Sequence, residues 1–220
     1  PSLLATLVAV LLSAAIVVLL SLRLPVALDG IRKRKPWLSA AWLLLGFIAL
    51  IQTARLSAFM LDPTQGQHSM FPGDQWMVDH CCLTAYSESA RLTSEGEPNI
   101  YKQELYLDGK LNRKLGSFNV DLYHYPPTFL LLPLGVRAVV GGDFPDFVGM
   151  RAVWFGMSAL ALMLAIGLIA YRLEPEGQLR AIGMAPLIWC SMPVLSGLQM
   201  SNVQILVVSI SAIALASFPR

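Results

Sequence analysis

Asp74 and Asp79 stand with Trp76, His80 and Tyr86 inside the long polar segment 62–125. A carboxylate held at a membrane surface among aromatic side chains can take a proton from an attacking hydroxyl, and partial burial moves its pKa toward neutrality. The plainer role for either aspartate is to cap a turn or to face water. His80 and His124 read equally well as hydrogen-bonding loop residues. Asp79, His80 and Cys82 are three metal-ligand types without a metal-site spacing, so no metal is assigned. Adjacent Cys81 and Cys82 are poorly placed for a mutual disulfide and read as small packing residues on one face of a short helix. Farther on, Gln199, Asn202 and Gln204 place amides at the lip of an apolar run. Amides there must find partners, either across a helix interface or on a substrate.

The elements that must position these residues are hydrophobic. The chain is 55% hydrophobic and 14% charged, with a mean hydropathy of +0.60. Soluble domains carry about 25% charged residues, so the composition predicts an all-α, polytopic membrane protein. A net charge of +2 without a basic stripe argues against a nucleic-acid partner. Apolar runs predict spans at about 2–22, 37–61, 147–171, 181–195 and 203–218. Residues 127–140 are short for a span and carry Pro133 and Arg137. They read as a tilted or broken span, or as a segment dipping into the bilayer.

Orientation rests on Arg23, Arg32, Lys33, Arg34 and Lys35, which crowd the link between the first two runs. Short basic loops stay on the cytoplasmic side, which puts 62–125 outside. Within that loop, residues 82–92 have helical spacing and read as a short helix able to lie along the membrane surface. Glu95-Gly96-Glu97-Pro98-Asn99 ends it. Leu107-Asp108-Gly109-Lys110-Leu111 reads as a hairpin turn. The paired prolines of Tyr125-Pro126-Pro127 fix the angle at which the chain enters the membrane, with Tyr125 held at the interface. An opening at Pro1 and an end just after an apolar run are those expected of a piece of a longer protein.

The order of these features resembles the C-type membrane glycosyltransferases, closest to the polyprenyl-phosphate-mannose-dependent branch. The likeness runs from about Met70 to Leu215. It is carried by an early loop Asp, the short helix ending in Gly96 to Tyr101, and Tyr125-Pro126-Pro127 opening Leu131 to Leu134. Ser201-Asn202-Val203-Gln204 completes it. The chain departs from the pattern in the length between Asp79 and Gly96, in His80-Cys81-Cys82, and in the order Asn then Gln.

The resemblance implies hexose transfer from a polyprenyl-phosphate donor to a lipid or glycan acceptor at the outer face of a bacterial inner membrane. No cofactor is implied, and a need for a divalent metal is left open. Asp79, with Asp74 as the alternative, would be the base that inverts the anomeric carbon. His80, Asn202 and Gln204 would line the site, Tyr125 would shape the lipid entrance, and a basic group, Arg137 or else Arg91 or Arg151, would meet the donor phosphate. A second expectation is a non-enzymatic membrane protein, a transporter or an assembly subunit. It rests on the proline-broken runs around Pro133, Pro186 and Pro193.

Overall fold

The structure is a computed structural model that describes residues 36–140, 147–173 and 186–218. The expected span at 2–22, the basic link up to residue 35, and residues 174–185 with the start of the expected span 181–195 lie outside them. The described part is mostly helical, with a polar cap built from residues 62–125 seated on apolar helices.

Helix α1, Pro36–Leu61, contains the apolar stretch Leu43–Leu61 that is long enough to cross a membrane. Proline suits its first turn, where an N–H has no helical partner. At the far end Asp62 precedes Pro63, whose ring disfavours a further helical residue. The Asp62 carboxylate instead accepts from the N–H and hydroxyl of Thr64, closing a turn. Leu43, Leu44, Phe47, Ile48 and Ile51 are exposed, as on a helix solvated by lipid.

In the cap, α2 (Gln75–Asp79) leads into α3 (Leu83–Ser94). Expected at the membrane surface, α3 is instead enclosed by protein, with every residue from Leu83 to Ala90 buried. Its small Thr, Ala and Ser side chains let neighbouring segments close on all sides, and the hydroxyls of Thr84 and Ser89 find internal acceptors. Gly96, at φ 82°, supplies the left-handed residue after the helix end.

Two small antiparallel hairpins follow. Strands β1 (Leu107–Asp108) and β2 (Leu111–Asn112) pair Leu107 with Asn112, and β3 (Lys114–Leu115) and β4 (Phe118–Asn119) pair Leu115 with Phe118. The first lies at the expected turn. The second turns on Gly116, also at positive φ.

After Pro127, one turn of 3₁₀ helix runs into α4, Leu131–Val140. Together they form a short apolar helical segment, not a full span. Helix α5, Phe147–Leu173, contains the second membrane-length stretch, Phe147–Ile169. Residues 186–189 and α6 (Met192–Gln199) then break sharply into α7 (Gln204–Ser217), bent by 119° to α6, and α7 packs along α5. Among the described residues, two helices are therefore long and apolar enough to cross a membrane, or three if the bent pair counts as one span.

The joint between bundle and cap is polar. Arg151 of α5 is inaccessible and donates to the carbonyls of Phe59 and Met60, at 2.6 and 3.3 Å. Its guanidinium lies over the rings of Phe59 and Phe118. The last carbonyls of a helix have no helical donor and form the negative end of its dipole, so Arg151 caps α1 from another helix.

Candidate functional site

The site is assembled by hydrogen bonds that fold the ends of the cap onto one another. Asp74 caps α2, its carboxylate accepting from the N–H groups of Trp76 and Met77. This sets the Trp76 ring against His80, with centroids 4.3 Å apart and planes 15° from parallel. Thr84, in the first turn of α3, reaches the carbonyls of Cys81 and Asn119 with its hydroxyl and accepts from the N–H of Asp121. One side chain thus fastens the segment after β4 to the start of α3.

That clasp brings together residues far apart in sequence. His80 Nδ1 lies 3.5 Å from Asp121 Oδ2, and His80 Nε2 lies 3.7 Å from Cys82 Sγ. One ligand-type atom from each of the three falls within 4.8 Å of the others. Beside them opens a cleft of about 510 Å³ lined by Cys82, Ala85, Tyr86, Asp121, Leu122, His124 and Tyr125. Tyr86 donates its hydroxyl to that of Tyr125, and the carbonyl of Tyr125 accepts from Tyr101. The aromatic wall is therefore fixed where the chain turns toward α4.

The electrostatics follow from burial. Loss of water pushes the Asp121 carboxyl up from the usual carboxylate range, and His80 partly offsets it. The Cys82 thiol is pushed up to about 12, mainly by burial and then by Cys81. The order Cys82, His80, Asp121 is that of a nucleophilic relay. A thiol so far from ionisation is a poor nucleophile at neutral pH, since the thiolate is the reactive form. Burial likewise raises Tyr86, which stays protonated as a donor.

Of the residues expected at a site, His80 and Tyr125 come to the cleft region. Asp79 is one residue from His80 and accepts from the side-chain amide of Gln75 at 2.9 Å. Asp74 is exposed, and its carboxylate is engaged in the cap. Asn202 accepts from the N–H of Gln204 and starts α7, and Gln204 itself is exposed. Arg137 donates to Ser94 at the end of α3 and does not line the cleft. The amide that serves the site is Gln199. Fully buried, it accepts from the N–H of Met70 and donates to the carbonyl of Met77, while the nearby Met200 carbonyl accepts from the N–H of Cys82. The bend between α6 and α7 thus holds the loop that carries His80.

Asp121 is the residue that sequence reasoning passed over. It was one acid among several in the polar segment, and the signal that marks it is Thr84, which no local spacing connects to it. No protein-family model matches the chain, and no curated protein or solved structure matches it either.

Proposed function

We propose that this protein transfers a hexose, mannose-like, from a polyprenyl-phosphate donor to a hydroxyl of a lipid or glycan acceptor. The reaction is assigned to the outer face of a bacterial inner membrane. The observation that carries the reading is the cleft. It is polar on the Asp121 and His124 side, aromatic on the Tyr86 and Tyr125 side, and it adjoins the Tyr125-Pro126-Pro127 turn into an apolar helix. A lipid-carried sugar phosphate has that same division between greasy tail and polar head.

In the reaction the acceptor oxygen attacks the anomeric carbon, the bond from that carbon to the phosphate oxygen breaks, and the anomeric centre inverts. The hydroxyl proton passes to Asp79, and the polyprenyl phosphate leaves with the bonding electrons. Such a displacement needs positioning, one base and stabilisation of the departing charge. Asp79 takes the role of base because it adjoins His80 and because the likeness to C-type glycosyltransferases points to it. Asp74 is occupied in capping α2. A transporter would place its amides at a mid-membrane substrate site, whereas here Gln199 and Asn202 serve the backbone of the cap and of α7.

The test is transfer of labelled hexose from a polyprenyl-phosphate donor by the full chain in membranes. Asp79→Asn is expected to lower turnover by about 100-fold or more, the scale of a lost general base. Asp74→Asn, which keeps a capping oxygen, is expected to leave most of it. Full turnover in Asp79→Asn would overturn the mechanism.

A further inference from the structure

We propose that His80, Cys82 and Asp121 hold a divalent cation of the zinc type at the wall of the cleft. Three observations carry this. The first is convergence, since one atom from each side chain lies within 4.8 Å of the other two. The 3.7 Å between His80 Nε2 and Cys82 Sγ is close to the separation of about 3.6 Å that bonds of about 2.0 and 2.3 Å give on a tetrahedral zinc ion. Asp121 Oδ2 lies nearest the other ring nitrogen, Nδ1, at 3.5 Å, so its carboxylate would turn toward the ion on binding. The second is the ligand set. Imidazole and thiolate with one carboxylate suit zinc, whereas magnesium and calcium take oxygen ligands.

The third observation is support from behind. Trp76 stacks on the His80 ring, Thr84 fixes the backbone of Asp121, and the Met200 carbonyl fixes that of Cys82. All three ligand-bearing positions are thereby held without using a metal-binding atom. Two of the three ligands, Cys82 and Asp121, also line the cleft. Three protein ligands would leave one tetrahedral position, as in zinc sites that act on substrates.

The role of the ion rests on the glycosyl-transfer reading. Among the described residues lining the cleft there is no lysine or arginine, and Asp121 would repel a phosphate. A bound dication reverses that sign and meets the oxygen of the departing phosphate. The ion would take no electrons, and the bonds made and broken in the transfer are unchanged by it.

Binding can be read without any turnover. The full chain, reduced and freed of metal in detergent, is titrated with cobalt(II) and then with zinc. The expected result is thiolate-to-cobalt charge-transfer absorption and tetrahedral visible bands at one equivalent, both erased by zinc. Cys82→Ser removes the charge-transfer band. His80→Ala and Asp121→Asn each weaken binding at least about tenfold, while Cys81→Ser changes neither. Thermal unfolding of each variant shows whether the cap is intact, and because Cys82→Ser and Asp121→Asn keep the shape of the site, a folding failure in His80→Ala alone leaves the test standing. Absence of the charge-transfer band, or its survival in Cys82→Ser, overturns the site. If cobalt binds as described but no hexose is transferred in the membrane assay, the metal site stands and the glycosyl-transfer reading falls.

Discussion

In the cap, Glu88 is 3% exposed and still carries two arginines, Arg91 and Arg113, whereas α1 leaves Leu43, Leu44 and Phe47 open along its flank. The first region is specified pair by pair. Many buried polar groups there meet a named partner, as in Glu88 with its arginines or Tyr106 with Ser89 and the Ile100 carbonyl. The second is specified by length and greasiness, and its outward side chains have lipid as their natural solvent. A chemical site needs the first kind of order, because side chains must be held in one geometry. That difference explains why the candidate site lies in the cap. It also makes the seams informative, since the regions meet at Arg151, at Gln199 and at the Cys82–Met200 bond.

The comparison breaks most severely at Arg151. Arg151→Met leaves the α1 carbonyls without their donor and removes the slab between Phe59 and Phe118. The expected loss is about 3 kcal/mol, read by unfolding in detergent, with both regions affected. Arg151→Lys recovers little of it, since an ammonium cannot lie flat between two rings. If the cap keeps wild-type stability in Arg151→Met, the seam is not a joint.

Glu88→Gln sharpens the contrast from the other side. Both arginine partners are partly exposed, so the expected cost is about 2–3 kcal/mol, at or below the low end of the range for a fully buried broken pair. Hydrogen exchange should rise across α3 and the hairpins and stay unchanged in α5 and α7. Equal loosening of both regions would mean that the cap has no separate order.

A smaller effect is expected at high pH. Burial raises the Tyr106 hydroxyl above its ordinary value. A group raised in the folded state favours folding below its unfolded pKa, about 10 for tyrosine, and that contribution is lost as pH climbs through the folded value. The part of the phenolate absorbance that Tyr106→Phe removes should therefore emerge together with cap unfolding above about pH 10. Ionisation well before unfolding would place Tyr106 in water.

Much of the scaffold was legible. The runs 37–61 and 147–171 appear as helices, because membrane-length greasiness is a local signal. The short helix after Cys82 and the turn at Gly109 were legible for the same reason. What local pattern cannot carry is a partner chosen by the fold. Asn202 was read as lining a site, but a tight bend leaves N–H groups at the start of α7 that a short amide satisfies. Gln199 stood beside it in the sequence and took the long-range role instead. Asp121 needed Thr84 to bring it to His80, a link across the whole cap. Arg151 read as one of the basic groups able to meet a donor phosphate, but its acceptors are the Phe59 and Met60 carbonyls, which no sequence pattern marks.

The proposed transfer requires a lipid-carried sugar phosphate to be met at the cleft between Tyr86, Asp121 and Tyr125. A polyprenyl-phosphate hexose bearing a photoreactive group near the phosphate, cross-linked to the full chain in membranes and mapped by peptide, tests it directly. The account predicts label on the peptides containing Cys82 to Tyr86 and Asp121 to Tyr125, displaced by unlabelled donor. Label confined to the lipid-facing flanks of α1 and α7, or not displaced by donor, would contradict it.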